Sequence, residues 1–294
     1  MVVSVGWLHR VEHMFAHRWT DITVATISPR TDRNGAARDA AHLHTGPMNA
    51  PISLADSLER LHQSEQRLLL SVDSLRGDAW HEPSVLPGWS RAHVAAHLAL
   101  NAEGLAGAVD GLAHERVVPV YESDERRDGD IAELASADPA EIRERLFAAG
   151  QQLRDAVAQL DERQWHGDLH RLPGGPLWPM ASVPSTRLRE VEIHHADLGA
   201  GYSPADWPDD FCVDLLDLVT ADHASSTDSP AFAVRATDVE GGSRTWSVGS
   251  DAPVVEGPAA ALGWWLVGRG TGEGLTCDAG ALPRLGPWRR TPVK

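Results

Sequence analysis

Four separate stretches of this chain repeat apolar residues at a helical period, and that patterning restricts the fold more than any other feature. Leu54, Leu58, Leu61, Leu68 and Val72 share one face of a helix that starts after Ser53, with Gly77 placed to end it. Ser90 is placed to cap a second helix running to about Val109, with Val94, Leu98 and Leu105 as its apolar stripe. Asp138, Pro139 and Glu141 form a start signal for a third, whose buried face is Ile142, Leu146, Leu153, Val157 and Leu160. Ser185 opens a fourth, which Gly199 and Gly201 are positioned to stop. A long crossover containing "VVPVYESDERRDGDI" joins the second and third. This pattern predicts a four-helix bundle, a fold that builds metal sites from inward side chains on facing helices.

The texture changes beyond about residue 229. "AFAVRATD" and "SRTWSVG" flank the turn "VEGG" and read as a β-hairpin, "GPAAALGWWLVGR" as a helix starting at Gly257 and Pro258, and "GLTCDAG" as a further strand. "WPDDFCVDLLDLVTADHA" reads as a helix bridging the two parts. The fold class is therefore α+β, with a bundle over residues 48–205 and a smaller α+β domain with its bridging helix over 206–294. Residues 1–47 are polar and aperiodic in large part, and read as a disordered extension or an upstream translation artefact, with Met48 as the alternative start. The histidines within them, His9, His13, His17, His42 and His44, lack an apolar face to dock their segment and are set aside.

A formal net charge of −16 argues against non-specific nucleic-acid binding and against docking on anionic lipid, leaving a small molecule as the better-fitting partner. The absence of a long apolar run or a secretory-type opening points to a cytoplasmic protein. Cys212 and Cys277 are too few and too far apart for a disulfide framework and read as packed thiols. Lys294 is the only lysine, which sets aside Schiff-base chemistry, and the arginine bias suggests a GC-rich bacterial genome.

Two polar residues, His97 and Asn101, fall within or beside the apolar stripe of the second helix and so point inward. In the fourth helix, at about 100° per residue, Arg187, Glu190, His194 and Asp197 form a polar stripe. Leu188, Val191, His195 and Leu198 occupy a neighbouring face, which makes His195 a core or boundary histidine rather than a ligand. Glu190 and His194 stand at i and i+4, a spacing that lets a carboxylate and an imidazole meet one metal ion. That spacing alone equally suits a surface helix contact; the inward His97 is what favours a shared ion, because a buried imidazole needs a partner. Two histidines and a carboxylate make an open site of catalytic type. His93, one turn earlier, is the alternative ligand.

"LPGWSRAHVAAHLALNAEGL", "PVYESDERRDGDI", "TRLREVEIHHADLGAGYSPADWP" and "VEGPAAALGWWLVGRG", in that order, resemble the mycothiol-dependent maleylpyruvate isomerase family. The resemblance implies a DinB-like metal-binding four-helix bundle with His97, Glu190 and His194 at the divalent-metal positions, most often zinc. It also implies a smaller sterol-carrier-like C-terminal domain that contributes an essential arginine, for which "WLVGRG" offers Arg269; the alternative is an arginine near a helix C-terminus, interacting with its dipole.

The implied activity is isomerisation of maleylpyruvate to fumarylpyruvate, a step of gentisate-type aromatic catabolism, by reversible addition of a thiol. Neither cysteine lies near the ligands in sequence, so the thiol comes from outside; the resemblance implies mycothiol, the small thiol of actinobacteria. A dicarboxylate substrate needs cations, and Arg269, Arg187 and Arg127 are available, the last two equally as ion-pair partners. Tyr121 lines the pocket or packs. Two other readings stay open: a mycothiol S-transferase acting on another electrophile, and a non-catalytic binding or regulatory protein that zinc stabilises.

Overall fold

A computed structural model describes residues 53–286 and residue 288. The reading of residues 1–47 lies outside these. The first helix, α1, spans Leu54–Ser74, and the Ser53 hydroxyl accepts a hydrogen bond from the Asp56 amide at its start. Helix α2, Arg91–Ala113, opens at Ser90, whose side chain accepts from the His93 amide. After α3, Asp124–Ala135, come α4, Pro139–Ala158, with Asp138 as its cap, and a single turn, α5, Glu162–Trp165. Strands β1, Asp168–His170, and β2, Leu177–Pro179, pair antiparallel and lead into α6, Val183–Asp197. Helices α1, α2, α4 and α6 pack around one another as the expected four-helix bundle.

Three local expectations change. Helix α3 lies inside what reads in sequence as a connection: its stripe is narrow, with only Arg127, Ile131, Leu134 and Ala135 buried. Its start is marked by Ser123, which accepts from the Arg126 amide, and by Asp124 and Glu125 in the first turn, where carboxylates suit the helix dipole. Ser185 does not cap α6, which begins two residues earlier with Pro184 in its first turn, where a missing N–H costs nothing. And α6 has no solvent face: apart from Ser185, every residue from Val183 to Asp197 is buried. A helix that reads as amphipathic is enclosed on all sides, so its polar groups must find partners within the protein.

The C-terminal part begins with α7, Asp209–Ala224, and continues through β3, Phe232–Ala236, β4, Arg244–Val248, β5, Val254–Gly257, α8, Ala259–Leu266, and β6, Thr276–Cys277. The sheet order is β4-β3-β5-β6, with β3 antiparallel to β4 and parallel to β5, and β5 antiparallel to β6. Strand β5 takes in Gly257, the first residue of the expected helix, so α8 begins at Ala259 after Pro258. Helices α7 and α8 pack on each other, α7 against β4 and α8 against β3 and β5. One apolar core runs continuously from Leu68, Leu98 and Val191 in the bundle to Phe211, Phe232, Leu262 and Trp288. A second cluster, with Leu105, Val109, Leu153, Trp178 and Met180, closes the far end of the bundle. No helix among the described residues is long and apolar enough to cross a membrane.

Candidate metal centre

The end of α6 is fixed from outside the helix. Gly199 takes a positive φ of 61°, and Arg91 at the start of α2 donates to the carbonyls of Leu198 (3.0 Å) and Gly199 (2.8 Å). A cation on the last carbonyls suits the helix dipole and ties α6 to α2. This juxtaposition brings His97 of α2 against Glu190 and His194 of α6. His97 Nε2 lies 3.1 Å from Glu190 Oε2, and His194 Nε2 lies 3.4 Å from the same oxygen. The two imidazole rings meet edge to face with centroids 4.7 Å apart, and Trp89 lies against His97 at 5.8 Å.

All three side chains are buried, and their ligand atoms lie within 4.8 Å of one another. Donors about 2.0–2.1 Å from a tetrahedral ion are about 3.3 Å apart, so the triad fits a single divalent metal with little adjustment. The donor set, two imidazoles and one carboxylate, suits zinc and other first-row divalent ions. His93 is not part of it: its Nδ1 lies 2.8 Å from the Ser90 hydroxyl at the helix start.

On the other side of His194, Nδ1 lies 2.9 Å from Asp197 Oδ2. Burial pushes the His194 imidazole down, but hydrogen bonds to Asp197 and Glu190 and their negative charges outweigh it and hold its pKa at about 9. Burial likewise opposes ionisation of Glu190, yet the bonds to His194 and His97 hold its carboxyl well below the usual range. Asp197 is also depressed: burial is overcome by the charge of Arg269 and by His194. Arg269 reaches Asp197 through two nitrogens, Nη2 to Oδ2 at 2.9 Å and Nε to Oδ1 at 3.3 Å. The arginine expected at the reacting centre is thus seated behind His194.

Asn101 and Tyr121 form a wall beside the triad. Asn101, one turn beyond His97, donates through Nδ2 to the Tyr121 oxygen at 3.0 Å. Burial raises the Tyr121 phenol, the Glu190 charge raises it further, and Asn101, Arg127 and Arg171 oppose both. The guanidinium carbons of Arg127 and Arg171 lie 5.7 Å and 5.3 Å from the Tyr121 ring centroid. Arg127 is bound to Asp128, at 3.0 Å and 2.7 Å. Arg171 pairs with Asp124 at 2.8 Å, while its buried Nη1 has no hydrogen-bond partner among the described residues. Sequence reasoning missed Arg171, which sits in a loop rich in Pro and Gly; the β1–β2 hairpin presents it, and its carbonyl accepts from the Tyr121 amide at 2.9 Å.

Arg187 is a cross-link. Its Nε lies 3.3 Å from Glu65 on α1, and its Nη1 donates to the Leu98 carbonyl (3.0 Å) and to Asn101 (2.8 Å) on α2. It is 1% exposed. His195 faces away from the triad, as its place on the helix requires. It stacks on Tyr202 with centroids 3.6 Å apart, its Nε2 lies 2.7 Å from the Ser71 hydroxyl, and burial pushes its pKa down to about 3. The buried Cys212 thiol is pushed up to about 12 by burial. It lines a cavity of about 460 Å³ between α7 and α8, walled by Trp207, Trp264 and Trp265, to which none of the triad belongs.

A helical bundle joined to a small α+β unit, with a buried pair of histidines and a glutamate between facing helices, presents a donor group that could hold a metal ion, as helical bundles build such sites. Residues 61–199 match the family model described as the mycothiol maleylpyruvate isomerase N-terminal domain. A solved mycothiol-dependent maleylpyruvate isomerase superposes with a TM-score of 0.73 at 25% identity, over 81% of this chain and 98% of that one. A histidine-to-alanine mutant of the same name superposes equally well at 24% identity, with the same coverage. These solved relatives are enzymes of the isomerase class. No curated protein matches the chain by sequence.

Proposed function

We propose that this protein is a metal- and mycothiol-dependent isomerase that converts maleylpyruvate to fumarylpyruvate by reversible addition of the thiol. The reading is carried by the convergence of His97, Glu190 and His194, with no further histidine, cysteine, aspartate or glutamate in the group among the described residues. Structural zinc is normally held by four protein ligands, whereas three leave a position for water or substrate. That favours a reactive centre over an ion that only staples the bundle. The names of the solved relatives support the thiol and the substrate.

Rotation about a carbon–carbon double bond requires its bond order to be lowered. In this reaction the external thiolate forms a C–S bond to one alkene carbon while the π pair moves onto the conjugated keto oxygen. The remaining single bond rotates, the enolate pair returns, and the C–S bond breaks to give the trans alkene and the same thiolate. No atom is gained or lost. A divalent ion on His97, Glu190 and His194 would supply positive charge, which lowers a thiol pKa or steadies an enolate oxygen.

The chain's own groups bind and orient. Tyr121 stays protonated at neutral pH because burial and Glu190 raise its phenol. Since its oxygen accepts from Asn101, its O–H is available to donate to a substrate oxygen. Arg171, with an unpartnered buried Nη1, is assigned to a substrate carboxylate, and Arg127 supports the same ring. Cys212 is excluded as the nucleophile, since a thiol with a pKa of about 12 is protonated at neutral pH.

Product analysis tests the reading. Metal-loaded protein, maleylpyruvate and catalytic mycothiol, followed by proton NMR, give fumarylpyruvate with the thiol conserved. A stable thioether that consumes mycothiol stoichiometrically would instead establish an S-transferase.

A further inference from the structure

Arg269 lies in the turn after α8, between Gly268 and Gly270, both with positive φ, 79° and 65°. Both φ values lie where L side chains are strained, so the turn favours its glycines. The turn aims the guanidinium out of the C-terminal unit and into the end of α6. Each of its nitrogens is engaged: Nε and Nη2 with Asp197, Nη1 with the carbonyl of Val267 at 3.1 Å. Arg269 is 5% exposed and Asp197 fully buried. Three of its five N–H donors are committed within the protein, and the group is enclosed. The Asp197 carboxylate also lies at ion-pair distance, 2.9 Å, from the far nitrogen of His194, though without hydrogen-bond alignment, and the near nitrogen faces Glu190.

From this chain of contacts we propose that Arg269 is a positioning residue: through Asp197 it sets the orientation of the His194 ring and so couples docking of the C-terminal unit to metal affinity in the bundle. A carboxylate that accepts from the far nitrogen of a ligating histidine fixes the ring and raises its basicity, and losing such a partner typically costs about 10–100-fold in metal affinity or activity. Here the carboxylate is itself held by a residue 72 positions later, in the other half of the molecule. The ligands all lie in the bundle, but the support behind His194 is complete only when the C-terminal unit is seated. The proposal rests on His97, Glu190 and His194 holding a metal, and its test separates the two claims.

Zinc affinity of the full chain is measured by competition with a chromophoric chelator for wild type, Arg269→Ala, Arg269→Lys, Asp197→Asn and the double variant Arg269→Ala/Asp197→Asn, with helicity and urea midpoint recorded for each. Arg269→Ala and Asp197→Asn each weaken zinc binding by about 10–100-fold. Arg269→Lys, which keeps the charge but not the two-pronged contact, recovers part of the loss. The double variant is no worse than Asp197→Asn alone, because both act through one path. Wild-type affinity in a folded Arg269→Ala protein, or losses that multiply in the double variant, overturns the positioning role while leaving the metal centre standing. Failure of the wild-type chain to bind one zinc overturns both.

Discussion

His97 and Glu190 stand 93 residues apart in sequence, yet His97 Nε2 lies 3.1 Å from Glu190 Oε2 inside the bundle. With His194 beside them, the two groups form a buried set of donors that a divalent ion would suit. His97→Ala therefore abolishes tight binding of one divalent ion while the protein stays helical. Metal analysis after gel filtration, with far-ultraviolet circular dichroism, checks this; stoichiometric metal in the variant would remove His97 from the ligand set.

Gly104 gives a second test, directed at the wall of the site. A Cβ there would meet the Val120 carbonyl oxygen at 2.4 Å, so the backbone next to Tyr121 has to move. Gly104→Ala should cost about 1–3 kcal/mol, as overpacking does. Because Tyr121 shifts and the triad does not, the variant should raise KM for maleylpyruvate with metal content unchanged. Unaltered kinetics would take Tyr121 out of substrate binding.

Arg187 is assigned to structure, and that assignment is measurable. Removing it leaves Glu65 buried, with Arg154 at 3.1 Å as its remaining cation, and strips Asn101 of a donor. Arg187→Met should lower unfolding free energy by about 3 kcal/mol, the scale of breaking a buried pair. A change below about 0.5 kcal/mol in urea titration, typical of an ordinary surface site, would contradict the cross-link.

The C-terminal unit carries a pH-sensitive element of its own. Burial holds the His223 imidazole below its ordinary value, against the opposing effects of the Leu266 backbone and Asp222. The unfolded chain takes up that proton as pH falls through about 6.5, and the folded chain does so only at lower pH. The unfolded state then binds more protons, so stability falls with pH in that window. His223→Gln should flatten the loss between about pH 7.5 and about pH 5.5, measured by urea unfolding at each pH. An unchanged slope would show that His223 is not its source.

Most of the bundle was legible because its signals are local. Ser90 and Asp138 cap the helices they were expected to cap, and the expected stripes are buried except towards their ends, where Leu54 is exposed and Leu160 lies beyond α4. Glu190 and His194 could be paired by their spacing, and His97 joined to them because it sits among Val94 and Leu98. What escaped depends on distant chain. Strand β5 is four residues long and gains its place by pairing with β3 on one side and β6 on the other. Helix α6 hides its polar groups under Trp207, whose indole donates to the Glu192 carbonyl at 3.0 Å, and under Arg269. The role of Arg171 arises from a hairpin that no periodicity announces. Arg269 was singled out by resemblance, but its seat behind Asp197 depends on how the two halves dock.

The measurement that bears most directly on the account is the rate of maleylpyruvate isomerisation by the full chain, with and without mycothiol, for metal-loaded wild type and His97→Ala, with metal content determined on the same samples. The account predicts turnover only where both mycothiol and the bound ion are present, and its loss in His97→Ala together with the metal. Turnover without mycothiol, or undiminished turnover in metal-free His97→Ala, would contradict it.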